Sequence, residues 1–250
     1  MGKAFMALTI GCARCHDHPV DPMSTEEYYQ LTAIFFDQFN ENPIASSKRI
    51  PLKITEPRVL IKGDWKSPGE SVEPGFLKIL MRKPADHWLS KNNKMEGLGN
   101  WITDTVNGSG ELLARVIVNR LWHHHFGQGL VKTPNDFGEI GSDPTHPELL
   151  DWLSTQLIEN NWKLGHVHKL ILKSATYRQQ NSSSSKYMDI DSENRLLWHK
   201  KPQRLEAEII RDRMLDAAGV LKKEIYGKSI PVGDYKKALP DLPKSWRRSI

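Results

Sequence analysis

Apolar residues recur at helical spacing in several separate stretches of the chain. Ser24 and Glu27 form a capping-box pattern directly before the apolar stripe of 25–37, and Thr145 and Glu148 repeat that pattern before another strong stripe. With the further stripes of the same spacing, the predicted helices cover 25–37, 111–126, 146–160, 165–174 and 203–218. The predicted fold class is therefore mainly α.

Prolines and glycines divide these helices into two groups. Five prolines between 40 and 75 exclude long helices, whereas a short apolar run at 59–61 favours a strand and 66–69 favours a turn. Asparagine and glycine are frequent over 90–110, which predicts a boundary. We therefore expect a helical segment with a small β or loop region, followed by a helical domain.

The composition fits a soluble protein with an apolar core. Of the 250 residues, 38% are hydrophobic and 26% are charged, and no apolar run approaches the roughly 20 residues of a membrane-spanning helix. The net charge of +5 comes from 222–250, where eight Lys or Arg residues stand against three Asp or Glu. Because no zinc-finger, RNA-recognition or helix-turn-helix pattern accompanies this basic tail, we expect no nucleic acid partner and no transmembrane segment.

The residues with the clearest chemistry are Cys12, Cys15 and His16, which form a CxxCH motif. They lie in a stretch, 1–16, whose apolar spacing predicts a helix. In such a motif the two thiols add to the vinyl groups of haem, and the histidine coordinates the iron from one side. The motif therefore predicts covalently bound haem c, with His16 as a ligand of the haem iron.

Three other interpretations of this segment remain open. Cys12, Cys15, His16 and His18 all carry side chains that bind zinc, although structural zinc sites usually use two separated pairs of ligands. The two cysteines could instead form a disulfide or a redox pair, although the βαβ context of thioredoxin-like proteins is missing. A short secretion signal that ends at a lipidated Cys12 is the third alternative, and it excludes haem attachment at that cysteine.

A sixth iron ligand would decide between electron transfer and chemistry at an open iron position. A methionine or a second histidine in that position favours electron transfer. The candidates are Met23, Met81, His18, His87 and His146, and their spacing selects none of them.

A second cluster of titratable residues lies at the end of the predicted helix 111–126. His124 continues the apolar stripe of this helix and is a candidate metal ligand, as is His146 farther along the chain. Together with Asp136 and His146, the histidines of 123–125 predict a pocket of an enzyme. The alternative is a buried helix end, whose histidines bond to the following loop and favour the helix C-terminus electrostatically.

Several blocks of residues resemble a known pair of bacterial domains. The block 11–18, with Asp21-Pro22 and Tyr28-Tyr29, resembles the planctomycete cytochrome-c-like (PSCyt-type) domain. The later blocks resemble the planctomycete-specific (PSD-type) domain that follows it, and they are Ala114–Arg120, Trp122, His124–Gly127, Gly129–Val131, Asn135–Gly138, His146–Trp152, Ser174–Gln179, Arg204–Glu208 and Arg211-Asp212.

The resemblance implies domain limits and a cellular setting. It implies the C-terminal part of a cytochrome-c-like domain at 1–80, a linker at 81–110 and a planctomycete-specific domain at 111–250 that is truncated at its C-terminus. The chain would then be a piece of a longer exported protein, located in the periplasm or at the cell surface, with its export signal outside this sequence. Both domains are of unknown function, so the resemblance implies no reaction.

The sequence as a whole predicts an exported protein that binds c-type haem covalently and acts in electron transfer. Its redox partner or extracellular substrate is not identified by any motif. The alternatives are an extracellular enzyme with a site in the second domain, and a cell-surface binding module stabilised by a metal or a disulfide.

Overall fold

Helices are the main regular structure of the described residues. The computed structural model describes residues 1–36, 56–90, 93–181 and 184–223. Its α-helices are α1 (Thr25–Ala33), α2 (Lys94–Thr103), α3 (Gly110–Phe126), α4 (Pro147–Glu159), α5 (Leu164–Lys173), α6 (Ser185–Ile190) and α7 (Ala207–Ala217). The prediction of a mainly α fold is confirmed. In these ranges, no helix has the length and apolar character needed to cross a membrane.

The chain divides into two compact units, Met1–Lys201 and Pro202–Ile250. The first unit contains α1 to α6 and two apolar cores. In the second unit, α7 confirms the helix predicted over 203–218, although it begins four residues later. Its apolar residues, such as Ile209 and Met214, are exposed. Most of the basic tail lies outside the described residues.

The first apolar core is built around Trp101 of α2, whose side chain is fully buried. The ring of Trp101 stacks on Phe76 with centroids 4.6 Å apart, and Trp88 meets the same phenylalanine edge-on at 5.8 Å. Leu31 of α1 and Met6 of the N-terminal segment pack into this core. The core therefore joins the N-terminal segment to α1 and α2.

Two local predictions in this part of the chain are confirmed. At the start of α1, Ser24 Oγ accepts a hydrogen bond from the Glu27 amide at 3.1 Å, and Glu27 Oε2 accepts one from the Ser24 amide at 2.8 Å. This is the predicted capping box. Farther along, β1 (Arg58–Leu60) and β2 (Pro68–Ser71) pair antiparallel and form the small β region.

The prediction of one helix over 1–16 is wrong. The segment forms a π-helical turn (Gly2–Met6) and a 3₁₀ helix (Ile10–Arg14), separated by Ala7 in the left-handed conformation with φ 49°. The three residues from 6 to 8 are all buried. Because three consecutive residues cannot share one face of an α-helix, the chain has to change direction here.

The segment 81–110, predicted as a linker, contains the helix α2, which the sequence did not predict. Asn93 caps this helix, because its Oδ1 accepts a hydrogen bond from the Glu96 amide at 3.0 Å. A Cβ at Gly97 would lie 2.6 Å from the carbonyl oxygen of Trp88. These asparagine and glycine residues therefore cap and pack a helix. The domain limits themselves stay a prediction.

The second core lies between α3, α4 and α5. As predicted, α3 ends before Gly127, which is left-handed with φ 80° and donates its amide to the His123 carbonyl at 2.7 Å. The rings of Trp122 and Phe126 stack at 4.2 Å on the inner face of α3. They are covered by buried residues of α4 and α5, which include Leu150, Leu153, Leu157, Val167 and Ile171.

The second predicted capping box, at the start of α4, is wrong. The N-cap residue of α4 is His146, and no side chain caps the helix, although Pro147 occupies the first turn as predicted. Thr145 instead bonds to an earlier part of the chain. Its amide and its hydroxyl both donate to the Leu130 carbonyl, at 2.9 and 3.3 Å. Thr145 is thus held against Leu130 and does not cap the helix.

Candidate functional site

Cys12 and Cys15 share one face of the short helix Ile10–Arg14, and Cys15 directly follows its last residue. In a 3₁₀ helix, side chains three residues apart lie one above the other. Ala13 points inward and is buried, whereas both cysteines are exposed free thiols. Residues 9–16, which we call the thiol-bearing turn, therefore present two thiols along one edge.

His16 is exposed beside these thiols. Its Nδ1 lies 2.6 Å from the carbonyl oxygen of Asp17. Because a carbonyl only accepts hydrogen bonds, Nδ1 carries the proton and Nε2 has the free lone pair. Among the described residues, no contact to Nε2 is seen. A histidine fixed by a carbonyl through one nitrogen is arranged to bind a metal through the other.

Helix α1 supports the end of the thiol-bearing turn. The hydroxyl of Tyr29 donates to the Arg14 carbonyl at 3.1 Å. Burial raises the pKa of Tyr29, and the neighbouring Tyr28 raises it further, so the phenol keeps the proton that it donates. Asp17 Oδ1 accepts from the Thr25 amide at 2.8 Å, at the positive end of the α1 dipole.

The β hairpin approaches the same turn from another side. Gly63, between β1 and β2, has a φ of 72°, and its backbone lies against Cys15. A Cβ at this position would come within 2.6 Å of Cys15 Sγ. Arg14 Nη2 donates to the Gly63 carbonyl at 3.1 Å and holds the hairpin in place. The absence of a side chain at Gly63 therefore leaves space for the Cys15 thiol.

His18 is buried, in contrast to His16. Its Nδ1 accepts hydrogen bonds from the amides of Asp21, at 2.9 Å, and Val20, at 3.4 Å. Because amides only donate, the proton lies on Nε2, which is 3.1 Å from Thr9 Oγ1. Both ring nitrogens are engaged inside the protein, so His18 has a structural role in this arrangement.

Asp21 connects this region to a distant loop. Its side chain is buried, and Oδ1 accepts from the Glu139 amide at 2.8 Å. Gly138 lies so close that a Cβ there would be 2.5 Å from Asp21 Oδ2. His18 Nε2 is 3.6 Å from the same Oδ2. The buried carboxylate is thus surrounded by donors from two parts of the chain.

An apolar groove of about 620 Å³ begins beside the thiol-bearing turn. Ile10, two residues before Cys12, forms part of its wall. The other lining residues come from the N-terminal turn, α1 and α2, and they include Phe5, Tyr28, Leu31, Phe35 and Ile102. A groove of this size and character accommodates the apolar surface of a small-molecule ligand.

The candidate sixth ligands lie in separate surroundings. Met23 is buried in the first core, and Met81 packs against that core. The ring of His87 meets Trp88 edge-on at 4.9 Å, and His146 Nδ1 lies 2.9 Å from Thr145 Oγ1. Within the part of the chain that the structure describes, no three His, Cys, Asp or Glu side chains are arranged to hold a metal ion.

The histidines at the end of α3 pair with α5. His125 Nε2 lies 2.7 Å from His168 Nδ1, whereas His124 is exposed. Burial lowers the pKa of His125, and the charges of His168, Lys200 and His124 lower it further. Lys200 Nζ donates to the His125 carbonyl and lies 4.4 Å from the centre of the Tyr177 ring. This helix end therefore disfavours a positive charge on His125, and its partner is α5 rather than the following loop.

The other residues of the predicted second site lie elsewhere. Asp136 Oδ1 accepts from the Gly138 amide at 3.1 Å and fixes a turn of the loop 132–139. A cavity of about 30 Å³ adjoins the end of α3 and is lined by Trp122, Phe126 and Leu130 among others. Neither Asp136 nor any of the histidines lines it. This cavity is therefore not the pocket that we predicted from those residues.

Comparison with models of protein families gives two matches. The PSD1 model, described as a protein of unknown function (DUF1553), matches residues 94–250. The chain belongs to the PSD1 family. The PSCyt2 model, described as a protein of unknown function (DUF1549), matches residues 1–40. The two domains and their order are those that the resemblance implied. No curated protein and no solved structure matches the chain.

Within the first unit, described residues of the PSCyt2 region pack directly on described residues of the PSD1 region of this PSD1 family member. Arg120 of α3 donates to the carbonyls of Lys3 and Ala4. The Phe137 amide donates to the Ala7 carbonyl at 2.7 Å. The sequence analysis missed this junction, because its partners are more than a hundred residues apart and no local pattern connects them.

Proposed function

We propose that Cys12 and Cys15 attach a c-type haem covalently, that His16 is the proximal iron ligand, and that the protein acts in electron transfer in the periplasm or at the cell surface. The haem, when bound, supplies a one-electron iron couple whose potential depends on the surrounding protein.

The observation that carries the proposal is a division of roles within 12–21. Asp17 caps α1, His18 bonds to Thr9, and Asp21 accepts from the distant Glu139 amide. The two cysteine thiols and the Nε2 atom of His16 have no such structural role. These are the groups that haem attachment uses.

The chemistry of attachment needs no oxidant. Each thiol sulfur forms a bond to one carbon of a vinyl group, and the thiol hydrogen moves to the neighbouring vinyl carbon, so that a saturated thioether results. The exposed position of both thiols on one edge of the turn suits this double addition. The Asp17 carbonyl holds the proton of His16 on Nδ1 and leaves Nε2 for the iron.

The groove beside Ile10 supports the same proposal. A porphyrin is a large, flat and mostly apolar group, which is stabilised when its faces leave water. The groove offers apolar side chains from three parts of the first unit within reach of the residues before Cys12. An exposed zinc or disulfide site has no need of such a surface.

The test is co-expression of this chain with a cytochrome c maturation system, followed by a pyridine haemochrome spectrum of the denatured protein. We expect one covalent haem per chain. The double variant Cys12→Ser/Cys15→Ser should carry none, whereas His124→Ala, which changes an exposed histidine away from the turn, should carry the normal amount. His16→Ala should reduce the yield or alter the visible spectrum.

Absence of a covalent haem band from the wild-type chain would refute the proposal. Thiol titration and metal analysis of the same preparation then separate the alternatives. A disulfide-stabilised module shows no free thiol, and a metal-binding module retains stoichiometric metal after dialysis against a weak chelator.

A further inference from the structure

We propose that residues 135–139 of the PSD1 region position the thiol-bearing turn through Asp21 and His18. Contacts from the PSD1 region thereby fix the positions of the two cysteines. Asp21 and His18 are positioning residues in this proposal. The purpose of the positioning rests on the proposed haem attachment, whereas the positioning itself is a property of the protein without haem.

The first step is the contact between the loop and Asp21. The Glu139 amide donates to Asp21 Oδ1 at 2.8 Å, and Gly138 lies close to the carboxyl group. A buried carboxylate needs such donors, because leaving an acceptor of this kind unpaired is costly. Any side chain at position 138 would approach both Asp21 oxygens to within 2.6 Å. The fit therefore depends on glycine at this position.

The second step runs from Asp21 to the start of the thiol-bearing turn. The Asp21 amide donates to His18 Nδ1, which places the His18 proton on Nε2 and directs it to Thr9 Oγ1. Thr9 is the N-cap residue of the helix Ile10–Arg14, and its carbonyl accepts from the Cys12 amide at 3.0 Å. A continuous series of hydrogen bonds thus links the PSD1 loop to the first cysteine.

The third step is a contact on the other side of the turn. The Phe137 amide donates to the carbonyl of Ala7, the residue at which the chain changes direction before the cysteines. The same short loop therefore holds the chain before the thiol-bearing turn, at Ala7, and after it, at Asp21. A five-residue 3₁₀ helix has little stability of its own, so fixing the chain on both sides determines its geometry.

The experiment measures amide hydrogen exchange of 9–21 in the full chain, together with the rates at which Cys12 and Cys15 react with a maleimide. The test variants are Gly138→Ala and Asp21→Ala, the second of which removes the acceptor of the Glu139 amide. The matched control is Gly165→Ala, because a Cβ at Gly165 meets no atom within 4 Å. The backbone of Gly138 is not in the left-handed region, so its substitution tests the contact with Asp21.

We expect exchange in 9–21 to become about tenfold faster or more in both test variants, since tenfold corresponds to about 1.4 kcal/mol and loss of a hydrogen bond to a charged group reaches that size. The relative reactivity of the two thiols should change as well. The control should leave both measurements as in the wild type.

A milder pair of variants keeps the test decisive if Gly138→Ala fails to fold. Thr9→Val removes the hydroxyl that bonds to His18, whereas Thr9→Ser retains it. We expect faster exchange at 9–21 with valine and rescue with serine. Unchanged exchange and thiol rates in Asp21→Ala and Thr9→Val would overturn the proposal. Because neither measurement involves haem, a wild-type chain that binds none while showing these effects would refute only the proposed function.

Discussion

Asn119 is a buried polar residue of the second core, and it connects α3 to the chain at Val131. Its side chain is fully buried in α3, where Nδ2 donates to the Val131 carbonyl at 3.0 Å and Oδ1 accepts from the Val131 amide at 2.8 Å. The two bonds hold the chain directly before the loop 132–139, which contacts Asp21. Asn119→Leu removes both bonds while keeping a side chain of similar size.

The expected loss of stability comes from the two backbone groups of Val131 that the substitution leaves without a partner. Val131 is also buried, so its amide and its carbonyl would both lose their partner without gaining water. Each unsatisfied buried group costs about 1–3 kcal/mol, and we therefore expect Asn119→Leu to lower the free energy of unfolding by roughly 2–6 kcal/mol. The added apolar atoms of leucine offset only part of this loss.

Urea unfolding followed by far-UV circular dichroism and tryptophan fluorescence measures the effect. Asn100→Leu is the matched control, because Asn100 lies exposed on α2, and we expect it to stay within about 0.5 kcal/mol of the wild type. Asn119→Asp should also destabilise at neutral pH and recover partly in acid, where a protonated carboxyl can donate to Val131. A loss below about 1 kcal/mol in Asn119→Leu would refute the reasoning.

Three further predictions concern the cores and the helix ends. Trp101→Ala should lower the free energy of unfolding by about 3–5 kcal/mol, while Trp152→Ala, at a site 49% exposed, should cost far less in the same urea assay. Ser24→Ala should cost about 1 kcal/mol, since it removes the capping box of α1. Burial lowers the pKa of His125 below its usual 6.5, so the unfolded chain binds the proton more readily. The free energy of unfolding should therefore fall as the pH drops from 6.5 towards that lowered pKa. Melting temperatures measured over this pH range should fall less steeply in His125→Asn than in the wild type. An equally steep fall in the variant would contradict this.

The fold was predictable where its signals are local. The capping box at Ser24, the stripe of α3 and the glycine at 127 each act within a few residues, and all three are found in the structure. The helix α2 was missed because Asn93 and Gly97 look like loop residues in the sequence. Asn93 acts as a cap and Gly97 allows close approach to Trp88, and this approach depends on the folded first core.

The candidate site was also predictable from the sequence only where its signals are local. The spacing of Cys12, Cys15 and His16 is a local property, so the sequence alone predicts haem attachment at these residues. The role of His18 is not local in this sense. As an isolated residue it looks like a metal ligand, and its engagement with Thr9 and Asp21 becomes visible only when the chain turns back on itself. The position of the Glu139 amide at Asp21 depends on the whole second core.

The chain on both sides of the thiol-bearing turn therefore contacts described residues of the PSD1 region, although the two regions match separate models. A peptide of residues 1–40 keeps the CxxCH spacing but loses Gly63 beside Cys15, the Phe137 amide at Ala7 and the Glu139 amide at Asp21. The Asp21 carboxylate would then return to water, and the short 3₁₀ helix would keep only the contacts that lie within residues 1–40, such as Tyr29 with the Arg14 carbonyl. We therefore expect the free thiols to remain reactive in such a peptide, while the arrangement of both cysteines along one edge requires the contacts from the PSD1 region.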